Sequence, residues 1–240
     1  MAPVTSGPRL AVGVRAPPRR CFIPVSATGR ETVKASEPSK YVSCLKQAAL
    51  SRQVPPQRVF EALVGLERSS KQQGNINTPD VVGSWNQVIG GVTPPGRRWQ
   101  LVFTSGTKQV QRALKNNNGS GSGQYFPLTA VQRWDAASGE IENGVYLGHI
   151  ASLTFSGPYA LKSKRLSFDF DTLHLKIGPL KLDIPLKDKI DPAKYVASSK
   201  DPFFIFFYAD EEIIAARGRS GGVAFWKRTL PEWELSNGIV

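Results

Sequence analysis

The chain has 240 residues, of which 40% are hydrophobic and 21% are charged, so it is long enough for one domain with appendages and apolar enough to fold. Lys and Arg outnumber Asp and Glu by 31 to 19, but five of the Arg residues lie in residues 1–30, which contain no acid. The remainder has no Lys/Arg cluster interleaved with aromatic residues, so nucleic-acid binding is not expected. The longest apolar run, residues 203–209, is far shorter than the roughly 20 residues of a transmembrane helix.

Residues 1–36 have the composition of an organellar transit peptide. They are rich in Ala, Val, Pro, Ser, Thr and Arg, contain no acid before Glu31, and lack the continuous apolar stretch of a secretory signal. Four prolines in residues 1–18 rule out a long amphipathic Arg helix, which favours the chloroplast over the mitochondrion. We expect this leader to be disordered and the mature protein to begin between about Ser26 and Ser39. An ordinary disordered tail is the alternative.

Only two cysteines are present, and Cys21 would leave with the leader. The remaining Cys44 together with His149 and His174 would supply fewer ligands than a structural zinc site needs. Neither a metal nor a cofactor is therefore predicted. Cys44 lies in an apolar helical pattern, which is typical of a small buried side chain.

Residues 37–96 are expected to form a helical segment. Apolar residues recur at helical spacing from Tyr41 to Ala49, and Pro55-Pro56 precedes a second amphipathic pattern from Val59 to Leu66. Thr78-Pro79-Asp80 is typical of a helix start, followed by a short helix through Trp85 to Val88. Packing of these apolar stripes on the next domain is favoured over a membrane-surface helix, because few Lys and Arg residues line the polar faces.

From Arg97 the period becomes two, with turn residues every 8 to 12 positions. Strands are predicted near 98–104, 124–134, 140–147, 150–156, 164–170, 173–177, 180–186, 203–209, 212–217 and 222–228. The fold class is therefore mainly β with N-terminal helices: an antiparallel up-and-down barrel over residues 97–230, followed by a C-terminal tail at 231–240. About eight such strands enclose an interior just wide enough for one small ligand.

The clearest alternation sets Leu166, Phe168 and Phe170 against Ser167, Asp169 and Asp171, so the first three should face the interior and the two aspartates should face water. The candidate residues lining the ligand cavity are Trp99, Leu101, Phe103, Phe126, Leu128, Leu153, Phe155, Leu166, Phe168 and Phe170.

Two glycine-rich segments do not indicate chemistry. Residues 116–123 (NNNGSGSG) have the composition of a flexible loop. Residues 218–222 (GRSGG) match the G-x-S-x-G pattern of serine hydrolases, but apolar strand patterns flank them and no His follows Ser220. A hairpin turn is favoured, no catalytic residue is assigned, and the protein is not expected to be an enzyme.

Three segments resemble signatures of the plastid lipid-associated proteins, also called fibrillins or plastoglobulins. They are residues 97–105 (RRWQLVFTS), residues 139–145 (GEIENGV), and residues 208–218 (YADEEIIAARG) with 221–225 (GGVAF). The helical region around Leu63 to Glu67 is similar to the leading helices of that family. The resemblance spans roughly residues 41–228, with two departures: two residues separate Gly96 from Trp99 instead of one, and Ile214 stands where the family usually has Arg.

The resemblance implies a lipocalin-like barrel in the chloroplast, associated peripherally with plastoglobules or thylakoids. In lipocalin-like barrels a C-terminal Arg packs across an N-terminal Trp, which here would join Arg217 to Trp99 at the barrel closure.

Three functions remain open. The barrel could bind one small apolar lipid such as a quinone, carotenoid or fatty acid, which is the preferred hypothesis. The chain could instead be a structural coat protein of plastid lipid droplets with no ligand in its interior. A lipid isomerase or cyclase ranks last, because the inward alternation from 164 to 186 offers only Leu, Phe and Ile. The identity of the lipid and the oligomeric state are left open.

Overall fold

The structure of the protein is a computed structural model that describes residues 37–72, 82–106 and 123–239. Three sequence predictions lie outside the described residues. They are the leader at 1–36, the Thr78-Pro79-Asp80 helix start, and the glycine-rich loop up to residue 122.

Four α-helices occur in the described ranges: α1 (Glu37–Ser51), α2 (Pro56–Gln72), α3 (Val82–Gly90) and α4 (Pro231–Ser236). The first three were predicted. None of the helices in these ranges is long and apolar enough to cross a bilayer. The segment expected to be a tail instead forms α4, with Pro231 in its first turn beside Glu232 and Glu234. Proline without an N–H and acids near the helix N-terminus both favour a helix start there.

The described strands are β1 (Arg97–Thr104), β2 (Gln124–Tyr125), β3 (Thr129–Asp135), β4 (Glu140–Leu147), β5 (Ala151–Lys162), β6 (Arg165–Phe168), β7 (Thr172–Ile177), β8 (Leu180–Pro185), β9 (Phe203–Ala209), β10 (Ile213–Gly218) and β11 (Val223–Arg228). Eight of them close into an antiparallel barrel in the order β1, β3, β4, β5, β6, β9, β10, β11. Pairing of β11 with β1 completes the circle. Neighbours in the barrel follow one another along the chain, so the predicted up-and-down, lipocalin-like barrel is confirmed.

Strands β1, β9, β10 and β11 divide their buried residues between two apolar clusters, one outside and one inside the barrel. On β10, Ile213 and Ala215 face outward, while Ile214 and Ala216 face the barrel interior. The outer cluster joins the barrel to α1 and α2, whose apolar stripes therefore cover one outer wall, as predicted. The helices themselves approach closely at Gly65, where a Cβ would lie only 2.5 Å from the Tyr41 ring. The inner cluster fills the barrel with Trp85, Ile89, Trp99, Trp134, Ile141, Tyr159, Leu166, Phe168, Phe206, Ala209, Ile214, Ala216 and Trp226.

The β7–β8 hairpin leaves the barrel from a bent strand. Both β6 and β7 pair with β5, and between them the N–H groups of Asp169 and Asp171 donate to the carbonyls of Pro158 and Ser156 at 3.1 and 3.0 Å. Residues 165–177 therefore act as one strand along β5. Its first half also pairs with β9 inside the barrel, whereas its second half pairs with the edge strand β8.

The predicted exposure of Asp171 is wrong. Its side chain is buried, and its carboxylate accepts the backbone N–H of Ile190 at 3.0 Å and the hydroxyl of Thr172 at 2.8 Å. Asp169 is half-buried and forms an ion pair with Lys187. The reason is that the chain after β8 folds back over this bend, where the Leu186 N–H donates to the Asp171 carbonyl at 2.7 Å.

Candidate functional site: the barrel mouth

One end of the barrel, the closed end, is covered by α3. The Trp99 indole N–H donates to the Ile89 carbonyl at 2.8 Å, and the Tyr159 hydroxyl donates to Asn86 Oδ1 at 2.8 Å. Burial, with the nearby Asp135 charge, raises the pKa of Tyr159, so its hydroxyl stays a neutral donor. The Arg97 guanidinium donates a third hydrogen bond to α3, to the Val88 carbonyl at 2.9 Å. These three hydrogen bonds hold α3 over this end of the barrel.

The opposite end, where β6 ends and β9 begins, carries a row of aromatic rings that we call the mouth row: Phe155, Phe170, Phe168 and Phe204. Ring centroids in this row lie 5.2 to 5.7 Å apart. Phe204 then meets Trp226 at 5.4 Å, edge to face, so the row connects the half-buried end of the barrel to its fully buried interior. This continuity of apolar surface makes the mouth the candidate ligand site.

Seven of the ten predicted lining residues lie on the inner face. Trp99, Leu101, Leu166, Phe168 and Phe170 belong to the inner cluster or pack against it. Leu153 and Phe155 have the same alternation on β5 as Tyr159, and they lie at the mouth, with Leu153 41% exposed.

Of the other three lining predictions, that of Phe103 is wrong, whereas those of Phe126 and Leu128 stay predictions. Phe103 lies in the outer cluster beneath the helices, because a register shift between Leu101 and Phe103 breaks the alternation of β1. Phe126 and Leu128 fall between β2 and β3, where the single predicted strand is interrupted at Pro127. Leu128 is 46% exposed.

The predicted closure pair is also wrong. Strands β1 and β11 do close the barrel, but the residue opposite Trp99 is Arg228. Arg217 instead points outward from β10, where its guanidinium makes a bidentate ion pair with the buried Glu67 of α2. Strand β11 lies between β10 and β1. Arg217 is also on the outer face of the barrel whereas Trp99 is on the inner face, so the two side chains do not meet.

The apolar face of the mouth continues onto the β7–β8 hairpin. Leu173, Leu175 and Ile177 of β7 pair on one side with β5 and on the other side with Ile184, Leu182 and Leu180 of β8. Their side chains lie on the same face of the sheet as the inward-facing residues of β5. We call this surface the hairpin face. It is exposed, and together with the adjoining turn it includes Leu147, Ile150, Leu153, Ile177, Leu180, Leu182, Ile184 and Leu186. Exposed apolar surface of this extent is typical of a binding surface.

The opposite, polar face of the hairpin carries a hydrogen-bonded array that the sequence analysis missed. Ser156 Oγ lies 2.8 Å from His174 Nε2, and His174 Nδ1 lies 2.7 Å from Asp183 Oδ1. The three residues come from β5, β7 and β8, and only the register of those strands brings them together. His174 and Asp183 line a groove of about 280 Å³, and the Asp183 side chain is 72% exposed. The order Ser–His–Asp is that of a nucleophile with its base and orienting acid.

A larger groove, of about 450 Å³, lies outside the barrel between α1 and the end of β11. Charged side chains pair across it, with Lys46 on Asp210 at 2.8 Å and Arg228 on Glu211 at 2.8 Å. The mouth differs from this groove because it leads into a buried aromatic interior. In the described ranges, no cluster of three or more His, Cys, Asp and Glu side chains could hold a metal ion.

Comparison with known protein families and with curated proteins finds no match to this chain. The barrel fold is compatible with binding of a small molecule.

Proposed function

We propose that the protein binds one small apolar lipid through the barrel mouth. The observation that carries this proposal is the unbroken aromatic path from half-buried Phe170 and Phe155 to fully buried Trp226. Apolar surface removed from water contributes about 25 cal/mol per Å², so an alkyl or isoprenoid chain laid along this path is held without any charged contact. Quinones, carotenoids and fatty acids are the ligand classes of this kind.

The hairpin face supports a second element of the proposal, which is docking on a lipid surface. It is continuous with the mouth row through Leu153 and Phe155, so a lipid leaving a bilayer or droplet would pass from the docked hairpin into the barrel without crossing water. A partner protein would need its own apolar patch, whereas a lipid surface offers one everywhere. The occupant that we assign to the hairpin face is therefore a lipid surface.

The resemblance to plastid lipid-associated proteins supports a plastid setting, at plastoglobules or thylakoids. N-terminal sequencing of the protein isolated from plastids tests it, with a start between about Ser26 and Ser39 as the expected result. A start before residue 37 leaves α1 whole. Recovery of an intact N-terminus in that material would contradict the transit-peptide proposal.

A coat protein without an interior ligand is the second candidate, and the exposed hairpin face is the observation in its favour. The two functions differ in what happens away from lipid surfaces. A ligand-binding barrel takes up dispersed lipid at one molecule per chain, whereas a coat protein binds only to an interface.

We propose binding without catalysis, and the Ser156–His174–Asp183 array allows a direct test of whether Ser156 is a nucleophile. We expect a fluorophosphonate probe to leave Ser156 unlabelled, because it lies mid-strand with neighbours on β4 and β7 instead of on a strand-to-helix turn. Labelling of Ser156 that disappears in His174→Ala would replace binding by a hydrolytic function.

Titration with a polyene fatty acid, whose fluorescence rises in apolar surroundings, tests the binding proposal. We expect one site per chain and an affinity at least about tenfold weaker in Phe170→Ser, because burying a Phe side chain contributes about 1.5–3 kcal/mol. Ile205→Ser is the matched control, since Ile205 is 40% exposed on the outer face of neighbouring β9. Equal weakening in both variants, or no saturable binding, would overturn the proposal.

A further inference from the structure

The interior of the barrel contains three buried polar atoms that lack a partner. The indole N–H groups of Trp134 and Trp226 and the Oε1 of Gln132 have no hydrogen bond anywhere in the described part of the chain. Trp134 is 0% exposed, Trp226 2% and Gln132 7%. Because an unsatisfied buried polar group costs about 1–3 kcal/mol, three of them in one core call for a partner.

The three side chains share one inner wall. Gln132 and Trp134 are alternate residues of β3, and Gln132 stands directly opposite inward-facing Trp99 on β1. Trp226 stands on the next strand, β11, and its ring lies 6.3 Å from the ring of Trp134. The three unpartnered polar atoms therefore belong to side chains of one wall, on β3 and β11, the two strands that flank β1 in the barrel.

Small side chains occupy the inward positions on the mouth side of this wall. The next inward positions after Gln132 on β3 and after Trp226 on β11 are Ala130 and Ala224, and Ala224 is paired with inward-facing Ala216 of β10. Phe204 of the mouth row contacts the Trp226 ring directly. The aromatic path therefore ends at the ring of Trp226, one of the three side chains with an unpartnered polar atom.

The hydrogen-bonding groups of these three atoms are complementary to those of one hydroxyl group. Two indole N–H groups can each donate once, and a Gln Oε1 accepts. A hydroxyl has two lone pairs and one hydrogen, which match these atoms one for one. A water molecule placed there would keep a second hydrogen without a partner among these three atoms.

We propose that the lipid held in the barrel carries a hydroxyl group at its buried end, bound by Trp134, Trp226 and Gln132. This inference rests on the proposed function and specifies its ligand class: a long-chain or polycyclic alcohol, bound with its polar end inward and its apolar body in the mouth row. Fully apolar hydrocarbons and ligands whose only polar atom is an acceptor are expected to bind more weakly.

Three probes with the same number of heavy atoms test the ligand class: dodecanol, methyl undecyl ether and tridecane. Each competes with the polyene fatty acid for the full-length protein. We expect dodecanol to bind at least about tenfold more tightly than tridecane, with the ether between them, because each hydrogen bond contributes about 1 kcal/mol. Failure of all three probes to bind would overturn the proposed function itself. Equal affinities for all three would overturn the hydroxyl inference alone.

Two variants assign the preference to the wall residues. Gln132→Leu removes the acceptor at similar volume and should reduce the ratio of dodecanol affinity to tridecane affinity several-fold. Gln100→Leu is the matched control, because Gln100 is equally buried and also has an unpartnered Oε1, but stands on the outer face opposite Lys227. The same loss in both variants would contradict the assignment.

A second measurement does not depend on the variants folding. In the wild-type protein, the indole Nε1–H NMR signals of Trp134 and Trp226 should shift on addition of dodecanol and not of tridecane. The signal of Trp99, whose N–H already donates to Ile89, is the internal control. Unshifted Trp134 and Trp226 signals in the dodecanol complex would overturn the inference.

Discussion

A buried ion pair between Glu67 and Arg217 joins α2 to the barrel wall. The Glu67 side chain is only 4% exposed, and Arg217 Nε donates to its Oε1 at 2.8 Å. Burial alone would raise the pKa of Glu67, but the hydrogen bonds and charge of Arg217, aided by Lys71, outweigh it and hold that pKa below its ordinary value. The pair therefore fixes the helix that covers the outer cluster.

Removing one partner of this pair should be costly. We expect Arg217→Ala to lower the free energy of unfolding by about 3 kcal/mol, because it leaves a buried carboxylate without its main partner. Lys71→Ala is the control: Lys71 binds the same carboxylate at 3.1 Å but is 65% exposed, so its loss should cost less than about 1 kcal/mol. Denaturant unfolding measures both, and equal costs would contradict the account.

The same pair predicts a pH dependence. Because folding lowers the pKa of Glu67, its contribution to stability is present above the ordinary value of 4.5 and is lost as the pH falls through the folded-state pKa. The stability difference between wild type and Glu67→Gln should therefore be largest near neutrality and shrink below pH 4.5. A difference that stays constant from pH 7 to pH 3 would be inconsistent with a lowered pKa.

The mouth row also has a residue-scale prediction. Phe168 is 6% exposed and contacts Phe170 and Phe204 at 5.2 and 5.4 Å, so Phe168→Ala should cost about 3–5 kcal/mol. Ile205→Ala, on the outer face of β9, should cost less than about 1 kcal/mol. Chemical denaturation compares the two variants. A larger loss for Ile205→Ala would mean that inner and outer faces are reversed.

At the residue scale, sequence patterns predict a side chain's face well only where the alternation is unbroken. They placed Leu166, Phe168 and Phe170 correctly, but they placed Phe103 on the wrong side of a register shift. The partner of Arg217 was missed because Glu67 lies on a helix 150 residues earlier. Only the tertiary structure brings such residues together.

Among the secondary-structure elements, the β7–β8 hairpin lies outside the eight strands that close the barrel. Every residue of β8 is exposed, and the strand is an edge. Its edge carries Lys181 and Pro185, which natural sheets use to discourage pairing with other chains. The hairpin is thus protected against strand addition while its apolar face stays open.

We predict that lipid-surface docking depends on the apolar residues of this hairpin. The double change Leu180→Gln and Leu182→Gln should weaken flotation with phospholipid-coated droplets at least about tenfold, because it removes the side chains that would enter the lipid. Stability should change by less than about 1 kcal/mol, since both positions are exposed.

The control for docking lies on the other face of the same hairpin. Lys176 and Lys181 are directly opposite each other on β7 and β8, so Lys176→Gln with Lys181→Gln changes the same strands without touching the apolar surface. This variant should float with droplets as wild type does. Loss of flotation in the Lys variant alone would indicate electrostatic binding instead of apolar insertion.

Element boundaries differ most from the sequence prediction in two places: the segment 124–134 is divided into β2 and β3, and β5 is longer than predicted. The strand predicted at 150–156 continues in the structure through Gly157 and Pro158 to Lys162. A glycine is needed at position 157, because a Cβ there would lie 2.2 Å from the Asp169 carbonyl oxygen, where the bent strand crosses. Pro158 lacks an N–H but still accepts from Asp169. No local pattern distinguishes this use of Gly-Pro from a turn.

At the scale of the whole molecule, the barrel is closed at one end by α3 and extended at the other by the hairpin. The antiparallel order and the covering helices follow from periodicity, because each strand is short and local in sequence, whereas the division of residues 124–134 into two strands does not. The direction of access does not, since it depends on which end α3 covers. The mouth, the hairpin face and the inner polar atoms are consequences of that arrangement.

Photo-crosslinking with a fatty acid that carries a diazirine in its chain shows whether the ligand lies inside the barrel. With dispersed ligand and full-length protein, we expect one crosslink per chain, mapped to the inner positions Leu101, Phe168, Phe204 and Ala224. Crosslinks confined to the outer groove between α1 and β11, or to Leu180 and Leu182 of β8, would contradict binding inside the barrel.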